Sequence, residues 1–270
     1  MVVQHNLTAM NANRMLNITT GVQAKSTEKL SSGYRINRAA DDAAGLSISE
    51  KMRAQIRGLN QASKNAEDGI SFVQTVEGAY TEVTEMLQRM NELAVQAANG
   101  TSSATQDGYI NDEITQLKAE ITRISTATKF NGKAAFGGDP IKLQIGETAD
   151  ATNTLEITTE AIGTTAADAL AIDCSTDDGG KAAIASVATS LEAVAKQRSL
   201  LGAYQNRLEH TVKNLDNIAE NVTAAESRIR DTDMSEEMVK YSNNNILAQA
   251  GQAMLAQANQ ANQGVLSLLQ

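Results

Sequence analysis

The sequence holds few of the side chains that carry out acid–base catalysis or bind metal ions. Its 270 residues include two histidines, His5 and His210, and one cysteine, Cys174. A structural zinc site takes about four ligands, so these three side chains are too few to form one. A lone cysteine excludes a disulfide within the chain, and no glycine-rich phosphate-binding motif is present. We therefore predict that the protein is not an enzyme and has no metal or other cofactor.

Asp41 and Asp42 are adjacent carboxylates, a spacing that does not position them as a general acid and base. They lie in the segment 31–45, which contains no apolar period. Carboxylates stabilise the N-terminus of a helix, so we expect a connector that opens the next helix, with ion pairs to Arg35 or Arg38. The predicted connector residues are Arg35, Asn37, Asp41, Asp42 and Gly45.

Charge and composition exclude two classes of partner. The net charge is −9 and only 3% of residues are aromatic, whereas a nucleic-acid-binding surface is basic and often carries aromatic residues. No stretch reaches the roughly 18 apolar residues of a membrane span. No basic leader precedes an apolar run near residue 1. We expect no nucleic acid, no membrane insertion and no cleaved signal peptide.

Both ends of the chain have a helical pattern of small and apolar residues. Near the N-terminus these are Ala9, Ala12 and Leu16, and near the C-terminus Leu247, Gly251, Met254, Ala258, Ala261, Val265 and Leu268. The alternating spacing of three and four is typical of a coiled-coil seam. We expect the two end helices to pair along it. No charged residue follows Lys240, which indicates that the last helix is buried on nearly all sides.

The middle of the chain predicts long helices with a small β insert. Apolar periods cover about 46–98, 104–128 and 181–230; on the last helix the stripe includes Ala188 and Ala195. The insert covers about 133–178, and its alternating segments 141–147 and 154–160 predict a hairpin. The fold class is mainly α, an elongated rod of long coiled-coil-like helices with a small β-hairpin, and the N- and C-terminal helices pair at one end. The predicted parts are 1–42, 43–230 and 231–270.

Long motifs at both ends resemble bacterial flagellins. They are LSSGYRINRAADDAAGLSISEKMRAQIRGL at 30–59, QTVEGAYTEVTEMLQRMNELAVQAANG at 74–100, TKFNG at 128–132 and RIRDTDMSEEMVKYSNNNILAQAGQAMLAQANQANQGVLSLLQ at 228–270. The resemblance covers about 1–132 and 181–270. It implies an inner coiled-coil domain made of 1–42 and 231–270 and an outer rod domain at 43–230. Only about 48 residues separate the two halves, so a minimal flagellin without added outer domains is expected.

The resemblance also implies a function and partners. A flagellin is the structural subunit of a secreted bacterial filament for motility and is exported without a cleaved signal peptide. The expected partners are further copies of the chain, an export chaperone on the C-terminal segment, the filament cap and the hook-junction proteins. We expect the end helices to be disordered in the free chain and to fold on assembly, because their small seam residues gain little per contact.

Many flagellins are recognised by Toll-like receptor 5, and the resemblance carries that surface onto LQRMNELAVQ at 87–96. Arg89 would be the basic anchor, with Leu93 one turn on and Glu113 as its acidic partner. The candidate receptor-binding residues are Gln88, Arg89, Glu92, Leu93, Gln96 and Glu113. The alternative interpretation is that the same face packs against a neighbouring subunit.

Three rival functions remain open. A hook–filament junction protein shares the terminal helices, but diverges in the DDAAG and ELAVQ stretches, which are intact here at 41–45 and 92–96. A membrane-surface amphipathic helix needs lysine and arginine on its polar face, which the last thirty residues lack. An enzyme has no residue constellation to support it.

Overall fold

The structure, a computed structural model, describes residues 6–99, 103–162, 166, 169 and 177–267, apart from the side chains of 104, 177–178 and 261–267. Within that part lie five long helices: α1 (Leu7–Ser32), α2 (Ala43–Ala97), α3 (Ala104–Ala127), α4 (Asp177–Arg230) and α5 (Met234–Ser267). Between α3 and α4 lie the strands β1 (Lys129–Phe130), β2 (Lys133–Ala134), β3 (Ile141–Gln144) and β4 (Thr154–Ile157). The predicted class, mainly α with a small β-hairpin, is confirmed.

The chain divides into two compact units. Unit 1 joins Met1–Ala54 to Asn221–Gln270, and unit 2 is Gln55–Glu220. This division falls inside α2 and α4, whereas the predicted boundaries lie at 42/43 and 230/231. The difference arises because both helices run through the boundary without a break, so their ends next to the connectors belong with unit 1.

Unit 2 has a well-filled core between α2, α3 and α4. The buried residues of α2 follow the alternating three–four spacing of a coiled-coil seam and are Val73, Val76, Tyr80, Val83, Leu87, Met90, Ala94 and Ala97. Ile110, Ile114 and Ile121 of α3 and Val187, Val194, Leu201 and Leu208 of α4 complete the cluster. Every one of these side chains is at most 6% exposed, so this unit is stabilised by its own apolar burial.

The predicted apolar stripe of α4 is out of phase in its first half. Ala188 and Ala195 were expected inside but are exposed, while Val187 and Val194 are buried. The buried face of α4 also carries Ser190 and Gln197, which are 1% and 6% exposed. Because these two polar residues occupy core positions, the apolar period does not mark the face that packs.

The β ribbons are pinned to α2. β3 pairs antiparallel with β4, with Ile141 opposite Ile157 and Leu143 opposite Leu155, inside the predicted strand segments. The Asn65 amide donates to the Gln144 carbonyl at 3.0 Å, and the Tyr80 hydroxyl donates to the Glu160 carbonyl at 3.0 Å. Edge-to-face pairs of Phe72 with Phe130 and Tyr80 with Phe136, with ring centroids 5.7 and 5.1 Å apart, hold the preceding segment.

Local signals at the ends of elements are confirmed. Ser103 and Gln106 form the predicted capping box of α3. The predicted turn at 130–133 is the tight connection of β1 and β2, in which Asn131 and Gly132 have φ of 48° and 79°. The predicted C-cap residue Gly100 lies outside the described residues, as do Cys174 and most of 163–176.

Two glycines of α4 give a paired prediction with opposite signs. A Cβ on Gly180 would lie 2.7 Å from the Ala98 backbone nitrogen, whereas a Cβ on Gly202 meets nothing within 4 Å. Gly202→Ala should raise the free energy of unfolding by about 0.5–1 kcal/mol, since alanine favours a helix. Gly180→Ala should lower it by about 1–3 kcal/mol, because backbone cannot move aside cheaply. Urea unfolding followed by circular dichroism measures both; the same sign for both variants would contradict this packing.

Candidate functional site

The two end helices, α1 and α5, pack antiparallel on a narrow stripe. The Asn6 amide donates to the Ala258 carbonyl at 3.0 Å, and a Cβ on Gly251 would lie 3.4 Å from Leu16 Cδ1. On α1 the half-buried stripe holds the predicted residues Ala9, Ala12 and Leu16. Ser26 is the one described residue of α1 that is buried, so this contact has almost no apolar core.

On α5 the contact face differs from the predicted seam. Gly251 and Ala258 are half-buried against α1, but Leu247 and Met254 are 57% and 60% exposed. Ala248, at 6% exposure, and the half-buried Leu255 take their places. Leu247 and Met254 are therefore corrected as pairing residues within one chain: the residue one position later in each case faces α1. Of the remaining predicted residues, the side chains of Ala261 and Val265, and all of Leu268, lie outside the description.

Large apolar side chains cover the outer faces of the same helices. Those of α1 are 44–68% exposed and those of α5 are 47–62% exposed. They are Leu7, Met10, Met15, Ile18 and Val22 on α1, and Met234, Met238, Val239, Ile246, Leu247 and Met254 on α5. So many exposed apolar residues on two helices are typical of a surface that another protein covers.

All five predicted connector residues take part in one compact turn. Asp42 caps α2 by accepting the Gly45 N–H at 2.9 Å, and a Cβ on Gly45 would clash with Asp42 and Ile36. Asp41 accepts the backbone N–H groups of Arg38 and Asn37 at 3.0 and 3.3 Å. The bond from Arg38, helped by that from Asn37 and by nearby lysines, lowers the pKa of Asp41 below its usual range.

The predicted ion pairs of this turn are different in the structure. The Arg38 side chain pairs with Glu28 at 3.0 Å, and the Arg35 side chain donates to the Ile229 carbonyl. Asp41 and Asp42 instead serve the backbone, because short carboxylates reach N–H groups of neighbouring residues more easily than they reach long cationic side chains.

Arg230 joins the two connectors, and sequence reasoning did not identify it. Tyr34 and Asp231 form an antiparallel bridge, and the Arg35 N–H donates to the Arg230 carbonyl at 2.7 Å. The guanidinium of Arg230 lies 4.7 Å from the centre of the Tyr34 ring and pairs with Glu50 at 2.7 Å. That hydrogen bond lowers the pKa of Glu50. The only sequence signal for this role is a basic residue in the last turn of a helix.

The candidate receptor surface contains an ion-pair cluster. Arg89 Nε donates to Glu113 at 2.9 Å, and its Nη1 lies 3.0 Å from Glu92. The bond to Glu113, and then that to Glu92, raises the pKa of Arg89. Gln88 and Gln96 are exposed beside it on α2. Five of the six candidate residues thus share one exposed surface formed by α2 and α3.

Leu93 is the exception, and its expected direct contact is inconsistent with the structure. It is 2% exposed and belongs to the core cluster of unit 2. The i, i+4 spacing from Arg89 placed it on the same helix face. However, α2 packs against more than one element, so its buried stripe is wide enough to include Leu93 beside Met90 and Ala94.

Comparison with known proteins identifies the family. Residues 3–139 match the family described as "Bacterial flagellin N-terminal helical region", and residues 184–269 match "Bacterial flagellin C-terminal helical region". The chain belongs to the bacterial flagellin family. The matched regions leave 140–183 between them, the part of this flagellin sequence where β3, β4 and the start of α4 lie.

Full-length relatives agree with this membership. The chain is 52% identical over 271 residues to a flagellin of Halalkalibacterium halodurans, and 47% identical over 308 residues to a flagellin of Bacillus subtilis. It is 50% identical over 285 residues to a "Flagellar filament 33 kDa core protein" of Treponema phagedenis. In all three comparisons the alignment covers 100% of both proteins.

A solved flagellin has a similar structure. The crystal structure of Bacillus cereus flagellin matches 60% of this chain and 94% of its own, with a TM-score of 0.51 and 28% identity. Within the described part of this flagellin, no helix is long and apolar enough to cross a membrane. The same residues contain no cluster of three or more histidine, cysteine, aspartate or glutamate side chains suited to a metal ion.

Proposed function

We propose that this chain is the repeating structural subunit of an extracellular bacterial flagellar filament. The single observation that carries the proposal is the row of large apolar side chains left exposed on α1 and α5. Relatives that match along the whole chain are named flagellin or flagellar filament core protein. Burial of the exposed residues by further copies would supply the apolar stabilisation that one copy lacks.

The exposed residues favour an open-ended assembly. A subunit whose two different faces complement each other makes head-to-tail contacts, and these build a helical filament when the rotation does not close. Leu7, Met15 and Ile18 lie on α1, whereas Ile246, Leu247 and Met254 lie on the other helix. Two such faces on one chain allow each copy to contact more than one neighbour.

We further propose that α1 and α5 are disordered in the free chain and fold on assembly. Their mutual contact consists of small or half-buried residues such as Ala9, Ala12 and Gly251. Isolated helices gain too little from such a stripe to offset the entropy of ordering. A disordered end would also suit export through a narrow channel without a cleaved signal peptide. It would leave the C-terminal segment available to an export chaperone; the filament cap and hook-junction proteins are the expected contacts at the filament ends.

The uncharged end of α5 gives a direct test of filament formation. No charge follows Lys240, and a charge at a half-buried position would have to be desolvated or paired in every copy. Wild-type protein should elongate from sheared filament seeds, as seen by electron microscopy. Ala258→Glu should leave unit 2 folded and abolish elongation.

Two controls separate charge from other effects. Ala119→Glu places the same charge on an exposed position of α3 and should leave unit 2 equally folded. Ala258→Gln adds the same bulk without charge and should retain more elongation than Ala258→Glu. Normal filaments from Ala258→Glu would contradict the proposed burial, and failure of the wild-type protein to elongate would contradict the proposed function.

We also propose that the surface around Arg89 is recognised by Toll-like receptor 5. Arg89 is half-exposed and held in place by Glu113 and Glu92, so its orientation is set before a partner binds. Leu93 supports the surface from inside, since it is buried. Its role would be to hold the α2 backbone rather than to contact the receptor.

Two substitutions distinguish these roles. Arg89→Ala should weaken receptor binding at least about ten-fold, as expected of an interface arginine, with little change in unfolding temperature. Leu93→Ala should lower the free energy of unfolding of unit 2 by about 2–5 kcal/mol. Surface plasmon resonance with the receptor ectodomain, together with thermal unfolding, measures both. Unchanged affinity for Arg89→Ala would reject the receptor assignment.

A further inference from the structure

One aromatic side chain is not used by the fold. The chain has five tyrosines and three phenylalanines, and all lie within the described residues. Seven of them are buried or half-buried, whereas Tyr109 is 70% exposed. Tyrosine is enriched at the energetic centres of protein interfaces, because it offers a large rigid apolar surface and one polar group.

Tyr109 lies beside the ion-pair cluster of α2 and α3. It precedes Glu113 by one turn of α3, so both side chains project from the same face. Glu113 is fixed to Arg89 of α2 at 2.9 Å. Because α2 and α3 are joined by a short turn, the residues that follow Arg89 lie alongside those that precede Glu113. Val95, which is 53% exposed, therefore lies on the same side of the cluster as Tyr109.

The surface around these two residues is acidic. Glu85, Glu92, Asp112 and Glu113 are exposed on it, against the single cation Arg89. Glu85 and Asp112 form no ion pair among the described residues, so their charge is not neutralised within the chain. We name this surface, made of Glu85, Arg89, Glu92, Val95, Tyr109, Asp112 and Glu113, the acidic face.

A stripe on α4 has the complementary chemistry. Lys196, Leu200, Ala203, Arg207 and His210 follow one another at helical spacing and line up on one side of α4. Leu200 is 45% exposed, and Lys196 and Arg207 have no ion-pair partner in the part of the chain that the structure describes. No carboxylate lies on this stripe between its ends. We name it the basic stripe.

We propose that the acidic face of one copy docks on the basic stripe of a neighbouring copy, with Tyr109 packed against Leu200. The proposal rests on the proposed filament function and names one of its contacts. The apolar centre on each surface and the opposite charges around it are complementary. The two surfaces are different parts of one subunit, so the contact is head-to-tail and each copy offers both halves.

Tyr109→Ala tests the apolar centre. Elongation from wild-type seeds should be at least about ten-fold slower, in keeping with the loss of an interface anchor. Because the side chain is exposed, circular dichroism and thermal unfolding of the free protein should not change. Asp139→Lys, a charge reversal at an exposed loop position, is the matched control and should elongate at the wild-type rate.

Charge reversal tests the pairing without assuming a register. Glu85→Lys with Asp112→Lys, or Lys196→Glu with Arg207→Glu, should each slow elongation by at least about ten-fold. The chain that carries all four changes should recover, because both surfaces then change sign together. Failure to recover, or normal elongation of either double variant, would overturn the proposal.

The remaining outcomes are also assigned. If Tyr109→Ala elongates normally but no longer binds the receptor, the occupant of the acidic face is the receptor and the proposal is wrong. If wild-type protein does not elongate from seeds, the proposed function fails, and this contact fails with it. If wild-type elongates and every variant does so equally, the contact alone is wrong.

Discussion

The terminal helices bury almost no apolar surface within one chain, and the behaviour of the molecule depends on this shortage. In α1 the buried residue is a serine, Ser26, and in α5 the buried apolar residue is the small Ala248. Burial of a leucine-sized side chain contributes about 1.5–3 kcal/mol, so a stripe of alanine and glycine contributes far less than ordering two long helices costs. The larger side chains, such as Ile18 and Ile246, face outward. Their stabilising contribution is realised when other copies cover them.

Unit 2 shows the opposite design. Val83, Leu87 and Met90 of α2 are fully buried, and α3 and α4 complete a core that requires no partner. The connectors join these two regimes with polar contacts: Arg230 reaches Glu50 and the Tyr34 ring, and Asp42 caps α2. Such contacts fix direction without adding an apolar core. One chain therefore combines a part that folds by itself with a part that is completed by assembly.

Most of the fold follows from the sequence because long periodic segments are the clearest structural signal. The positions of the helices, the hairpin and the capping box at Ser103 were predicted in this way. The errors have one physical origin, which is that an apolar residue marks a buried face only if its partner belongs to the same chain. Leu247 and Met254 are apolar but exposed, while Ala248 faces α1. On α4 the reverse occurs, since polar Ser190 and Gln197 lie inside. Leu93 and Arg230 depended on how many elements pack around one helix, which a single periodicity does not contain.

Hydrogen–deuterium exchange on the free protein and on seeded filaments tests the central claim most directly. The account predicts that the amides of α1 and α5 exchange rapidly in the free chain and become protected in the filament, and that helix content measured by circular dichroism rises on assembly. The amides of the unit 2 core, around Leu87 and Leu201, should be protected in both states. Equal protection of α1 and α5 before and after assembly, with equal helix content, would contradict the account.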